Sequence, residues 1–312
     1  MQPPDDENAE ARLFAQKVSE EEICEGARTR PGEAPHFSYP HSDPLVWVKF
    51  GNPWEKGTEA EANMQMLAWE WIHDERQAGR CSAAIHIPEV FRTFTDKYDT
   101  FYIIMELVRG TVLAKSVFAN PEGSLHPVEE CYDLIAEALE LLRRMPTPNH
   151  ATPGPYTPDP SLRLIRHPMF KFQCATIVYQ NVDELEQHIN TVISRSYPRK
   201  PSPLPTVTLE RDLVFTYSDL NDQNFMFNTD SVGRLRLYLV DFEHASFLPL
   251  SFLALAILRN DCWWTAKPIA QRLGAALPQS NLEALTRARY TFRTFGSGVG
   301  LHKKDDGWSL TP

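Results

Sequence analysis

A mixed α+β chain, with short strands early and helices dominating later, is what this sequence predicts. Three observations carry that reading. Strand-like apolar runs cluster between residues 45 and 108. Apolar residues then recur every three or four positions over several longer stretches, the spacing of one helix face. Two late apolar runs, beginning at Val214 and Leu235, each end on a carboxylate, Asp219 and Asp241.

With 312 residues the chain can bury a sizeable core, as one large domain or as two closely joined lobes. A hydrophobic content of 42% and a charged content of 23% are ordinary for a soluble globular protein. The formal net charge of -10 argues against a nucleic-acid or anionic-membrane partner and favours a cationic substrate, although acidic surfaces more often serve solubility. The start, Met1-Gln-Pro-Pro-Asp-Asp-Glu, lacks the basic beginning and apolar centre of a signal peptide. The longest apolar run, residues 247–258, is too short to span a bilayer. A soluble, cytoplasmic protein is expected. Its five cysteines, Cys24, Cys81, Cys131, Cys174 and Cys262, are widely spaced without any Cys-x-x-Cys pair, so reduced side chains are expected. The histidines show no paired metal-ligand spacing, and no Gly-x-Ser-x-Gly elbow is present.

Taken in order, residues 10–27 read as one helix with Ala11, Phe14, Val18 and Ile23 on its apolar face. Residues 28–44 carry prolines and turn formers and read as a connector; residues 45–50 read as a strand bearing Lys49. A helix over 59–78 buries Met64, Leu67, Ala68 and Trp71, and Glu61 sits at the inner edge of that face. Residues 85–90 and 101–108 read as strands, and Arg109-Gly110 as the turn that closes the second. Over 128–145 the positions Val128, Cys131, Ile135, Ala138, Leu142 and Met145 predict a central helix, with Pro127 suited to its first position. Six prolines and one glycine make 146–160 a loop. Asn181 and Glu184 look like a capping box opening a helix that runs to about residue 196, followed by a proline-rich connector at 198–205. Residues 248–258 and 263–277 read as closing helices, and 296–312 as a frayed tail.

The stretch 214–227, Val-Phe-Thr-Tyr-Ser-Asp-Leu-Asn-Asp-Gln-Asn-Phe-Met-Phe, has the outline of a phosphoryl-transfer site together with Asp241. Moving a γ-phosphoryl group takes a base that orients the acceptor hydroxyl and oxygen ligands that hold magnesium against the phosphates. Asp219 is the candidate base, and Asn224 and Asp241 are the candidate metal ligands, an amide oxygen and a carboxylate that suit a hard cation.

Here the sequence resembles the aminoglycoside phosphotransferases and choline kinase-like enzymes, whose signature is His-Gly-Asp, four variable residues, Asn, and a later strand-ending Asp. It looks most like the divergent phosphotransferases of filamentous fungi. The first pair of the signature reads Tyr217-Ser218 in this chain. In the related protein kinases that first residue packs and orients the loop, and tyrosine is sometimes found there. The resemblance runs in order from Lys49 to Glu243 and implies a bilobal protein-kinase-like fold, with a small antiparallel-sheet N-lobe, a larger mostly helical C-lobe and ATP between them. It implies the division 1–44 as N-terminal helix and connector, 45–108 as N-lobe and 109–312 as C-lobe. It further implies that Lys49 meets the α and β phosphates and is steadied by Glu61, and that Glu106, Leu107 and Val108 meet the adenine edge through their backbone. Three departures stand out. Only Gly32 lies where a glycine-rich loop is expected, position 221 is Asn in place of the protein-kinase lysine, and no Ala-Pro-Glu follows Asp241-Phe242-Glu243. The last two favour a small hydroxylated acceptor over a protein. The function so implied is an ATP- and magnesium-dependent transfer to a hydroxyl of a small molecule. The alternative, motivated by Tyr217-Ser218 and the missing glycines, is a catalytically silent pseudokinase that binds nucleotide or a partner.

Overall fold

The computed structural model describes residues 8–29, 34–51, 57–124, 126–197, 203–259, 263–304 and 307–310, without the side chains of 263–265. Gly32, Cys262 and residues 198–202 of the second proline-rich connector lie outside the described residues.

The chain opens with two helices, α1 (Ala9–Lys17) and α2 (Glu20–Arg28), where the sequence reading has one. Val18 is extended at φ -62, ψ 135, and Ser19 and Glu22 form a reciprocal capping box that starts α2 afresh. Each satisfies a backbone N–H of the other, which makes a break here cheaper than a continuous helix. Next come β1 (His36–Tyr39) and β2 (Val46–Gly51), then the long helix α3 (Gly57–Gln77). β1 pairs antiparallel with β2, so the sheet lobe starts inside residues that the sequence reading gives to the connector, ahead of the boundary at 45.

The strand expected at 85–90 divides. β3 (Ile85–His86) pairs in parallel with a strand of the second lobe, whereas β4 (Val90–Thr95) joins β5 (Phe101–Glu106) and β2 in the first. Pro88 sits between them and has no N–H for a ladder. The first sheet therefore has the order β1-β2-β5-β4, and α3 packs against it. On its other side α1 and α2 cover Phe37, Val48, Phe94, Tyr102 and Ile104. Arg12 of α1 holds Glu89 through two bonds of 2.6 and 3.0 Å.

Beyond Gly110, whose φ of 63 suits a residue without a Cβ, come β6 (Val112–Leu113), α4 (Ala114–Ala119) and α5 (Val128–Arg143). Pro127 stands just before the first turn of α5 as its N-cap, one position earlier than expected. α5 buries Cys131, Ile135, Ala138 and Leu142, the face its periodicity marks. Full burial of one such Leu or Ile is worth roughly 1.5–3 kcal/mol. α6 (Val182–Arg195) begins at Asn181, whose side chain accepts from the Glu184 N–H. Four strands follow, β7 (Leu213–Tyr217), β8 (Phe225–Thr229), β9 (Leu235–Leu239) and β10 (Ala245–Pro249), and then α7 (Leu250–Leu258) and α8 (Trp263–Leu273). Leu248 and Pro249, read from sequence as helical, complete the β10 ladder against β7.

Two late elements differ from the sequence reading. α9 (Leu282–Phe295) buries Leu282, Leu285, Ala288 and Phe292, a helical spacing that the sequence reading leaves unassigned. The tail is not wholly frayed: β11 (His302–Lys304) pairs with β12 (Gly307–Ser309), Leu301 is buried, and the Val299 carbonyl meets His188 Nε2 at 2.7 Å. The result is an α+β fold with a small antiparallel-sheet lobe and a larger, mostly helical lobe, stitched together where β3 joins β9.

Candidate active site

Between the two lobes lies a cleft of about 470 Å³. Its upper wall is the β2 segment with Trp47 and Lys49, its back is Glu61 and Gln65 of α3, and its floor includes Leu113, Met226 and Val240. Glu106, Leu107 and Val108 line it where β5 leaves the first sheet. This size and largely apolar lining, with a few converging polar groups, are those of a small-molecule or cofactor site. The Glu106 N–H is donated to the Glu89 carbonyl at 2.8 Å, so that amide is engaged within the protein.

Lys49, Glu61 and Asp241 meet inside this cleft. Strand alternation turns Val48 into the core and Lys49 to the opposite face, toward α3. Its Nζ donates to Glu61 Oε1 at 2.7 Å and to Asp241 Oδ1 at 3.1 Å. Burial works against the ammonium, yet the two carboxylates outweigh it and raise the lysine pKa, so the side chain stays charged. Burial pushes Glu61, only 2% exposed, up to about 7; Asp241 and Glu243 push the same way and Lys49 opposes them.

Asp241 adopts φ 62, a left-handed conformation uncommon for a residue with a Cβ. The segment around it is pinned from both ends. Tyr217, fully buried, donates its hydroxyl to the Val240 carbonyl and packs its ring edge-on to Phe242 at 5.2 Å. Ser218 donates Oγ–H to the His244 carbonyl at 2.7 Å. The Val240 N–H reaches the Asn224 carbonyl at 3.0 Å. The pair that departs from the family signature thus fixes the Asp241 segment directly: Tyr217 supplies both the packing surface and a hydrogen bond, and Ser218 adds a second tie.

Asn224, 6% exposed, donates its amide N–H to the Asp219 carbonyl at 3.2 Å, which leaves Oδ1 as its acceptor end. It lines the same cleft as Asp241. A carboxylate and an amide oxygen form a partial set that fits magnesium, which takes its remaining ligands from water and phosphate. Among the described residues no group of three or more His, Cys, Asp or Glu is placed to hold a metal by protein ligands alone.

Asp219 opens instead on a neighbouring hollow of about 170 Å³ that it shares with Asn221, Gln173 and Arg259. Burial alone would raise its pKa, but His244, Asn224 and the Asn221 N–H outweigh that and hold it below the usual carboxylate value. His244 Nδ1 stands 3.4 Å from Asp219 Oδ2, longer than a good hydrogen bond. The sequence reading passes over His244. Its position directly after Asp241-Phe242-Glu243, a run already singled out, is the signal that could have found it. The same reading omits Arg166, which forms an ion pair with Glu243.

No family model matches the chain, and no curated protein is similar to it in sequence. Aminoglycoside phosphotransferases are among the solved structures to which the chain is similar. Aminoglycoside phosphotransferase APH(4)-Ia is 14% identical, with 87% of this chain and 88% of that chain covered and a TM-score of 0.49. A thermostable mutant of the same enzyme in its apo form is 15% identical over 84% of this chain and 83% of that chain, with a TM-score of 0.48. The GDP and kanamycin complex of APH(2")-IIia is 13% identical over 88% of this chain and 86% of that chain, with a TM-score of 0.44. Among the described residues no helix is long and apolar enough to cross a membrane.

Proposed function

We propose that this chain is a phosphotransferase that takes the γ-phosphoryl group of ATP to a hydroxyl of a small molecule, with magnesium bound at Asn224 and Asp241. The observation that carries the reading is the convergence of Lys49, Glu61 and Asp241 in the interlobe cleft, at 2.7 and 3.1 Å, which brings two neighbouring elements of the first lobe, β2 and α3, to a segment of the second lobe 192 positions from Lys49.

In this reading the nucleobase enters the apolar part of the cleft beneath Trp47 and beside the backbone of Leu107 and Val108. Lys49, anchored by Glu61, supplies a fixed positive charge for the phosphates. A magnesium ion held by Asn224 and Asp241 neutralises phosphate charge when bound. Asp219, kept ionised by its neighbours, accepts a hydrogen bond from the acceptor hydroxyl and so aims its oxygen at the γ-phosphorus. The new oxygen–phosphorus bond forms as the bond to the β–γ bridging oxygen breaks, and the hydroxyl proton passes to the Asp219 carboxylate. His244 stands behind that carboxylate and favours its charged form. Asn221 donates its N–H to Asp219 Oδ1 at 3.2 Å and accepts from the Gln223 N–H at 3.0 Å, which fixes the loop without a lysine.

The test is a calorimetric titration of the native protein with ATP, with and without magnesium, followed by phosphoryl-transfer assays over a panel of hydroxylated small molecules. Magnesium-dependent binding with transfer supports the reading. Binding without transfer to any acceptor, including water, favours the silent pseudokinase, and no binding removes the nucleotide site.

A further inference from the structure

Arg166 joins parts of the chain that the interlobe cleft and the hollow beside Asp219 both use. It lies in a hairpin spanning 165–175, where the Ala175 N–H donates to the Ile165 carbonyl and the His167 N–H to the Gln173 carbonyl, each at 2.8 Å. Its neighbours Ile165 and His167 are fully buried. The backbone that carries Arg166 is therefore fixed. Gln173, on the far leg of the same hairpin, and Met169 line the hollow beside Asp219.

The guanidinium makes two contacts outside the hairpin. It pairs with Glu243, two residues beyond Asp241. It also lies against Gly57, the first residue of α3: a Cβ there would overlap the guanidinium, so glycine is what lets it approach this closely. Gly57 stands four residues before Glu61, one helical turn away on the same face. Glu243 in turn is close enough to Glu61 for its charge to push the Glu61 pKa upward. One side chain of the second lobe thus touches both the segment that carries Asp241 and the helix that carries Glu61.

Stability does not account for this arrangement. The side chains of Arg166 and Glu243 are 21% and 37% exposed, and an ion pair open to water contributes little to folding. Lys49 reaches Glu61 and Asp241 together only when α3 and the Asp241 segment keep a fixed separation, and Arg166 spans that separation.

Resting on the phosphotransferase reading above, we infer that Arg166 is a positioning residue for the nucleotide site: it holds the first turn of α3 against the Asp241 segment and so sets Glu61, and through it Lys49, for the phosphates.

The test uses the full chain and calorimetric titration with magnesium and AMP-PNP. Arg166→Ala is expected to weaken binding about tenfold, the scale of one charge-assisted hydrogen bond, with a urea midpoint close to native. Gly57→Ala forces the guanidinium, at the end of a flexible side chain, to move off Glu243; it is expected to cost the same in the native chain and nothing further in Arg166→Ala. In a Glu61→Gln background Arg166→Ala is likewise expected to cost nothing further, because its route to the phosphates is already cut. Hydrogen exchange of the chain without nucleotide gives an independent readout: in Arg166→Ala, amides 61–66 of α3 are expected to exchange several-fold faster while those of α5 keep their rate. Unchanged AMP-PNP affinity in Arg166→Ala, a loss that adds in full to that of Glu61→Gln, or exchange that is unchanged in α3 or equally faster in α5 overturns the inference. If the native chain does not bind AMP-PNP, the phosphotransferase reading falls, and faster exchange confined to α3 still establishes the hold of Arg166 on that helix.

Discussion

Lys49 and Asp241, 192 positions apart, share a hydrogen bond of 3.1 Å across the cleft between the two lobes. The lysine lies on the second strand of the first sheet and the aspartate on a left-handed turn of the second lobe. Only a closed arrangement of both lobes puts them together. Glu61 holds the same ammonium at 2.7 Å from a nearly dry position, so the three groups form one charge network.

Removing Lys49 acts on both stability and binding. Lys49→Met leaves Glu61 buried without its cation, and breaking a buried pair from one side costs roughly 3–5 kcal/mol. The variant is expected to unfold at lower denaturant concentration and to bind MgATP weakly. Adding Glu61→Gln to it is expected to restore most of the stability and none of the affinity. Recovery of both in the double variant would show that Lys49 does not touch the nucleotide.

The two aspartates separate binding from chemistry. Asp241→Ala removes a metal-ligand carboxylate and is expected to lower ATP affinity only when magnesium is present. Asp219→Asn is expected to keep near-native MgATP affinity and to lose about 10²- to 10⁴-fold in turnover, the worth of general-base catalysis. Titration calorimetry and single-turnover transfer on both variants decide it; retained turnover in Asp219→Asn would sink the proposed base.

His244 gives a pH test. It is among the groups that hold Asp219 below its ordinary pKa against the opposing effect of burial. His244→Ala is expected to raise the pKa of Asp219 and so move the acid limb of the turnover profile to higher pH. A profile that loses height at every pH without moving would assign His244 a packing role alone.

Glu61 sets a different pH dependence, on stability. Its folded pKa is raised from 4.5 to about 7, so folding takes up a proton in that window. Its contribution to stability is fully present below 4.5 and is lost as pH rises through about 7. The stability of the native protein minus that of Glu61→Gln, from urea unfolding, is therefore expected to fall between those pH values. A difference that is flat or rises would contradict the burial argument.

Tyr217→Phe isolates one hydrogen bond. The ring against Phe242 remains, but the Val240 carbonyl loses its buried donor, a loss worth about 1–3 kcal/mol. Thermal unfolding measures the cost. Transfer activity is expected to fall further than stability alone explains, because the lost bond adjoins Asp241.

The sequence alone determined the elements whose signals are local. The α5 periodicity, the Asn181 cap and the strand bearing Lys49 stand where spacing and capping chemistry put them. The carboxylates and the amide of the candidate site were also legible, since an apolar run that ends on an acidic residue is visible without a fold. Where two local signals competed, the weaker one was overlooked: Ser19 and Glu22 restart a helix inside a continuous apolar face, and Pro88 divides what reads as one strand. Tertiary structure decided the rest. The role of Tyr217 depends on Phe242 and Val240, reached only through a chain reversal. Coulombic and hydrogen-bond energies follow distance in space, and only folding converts sequence separation into that distance.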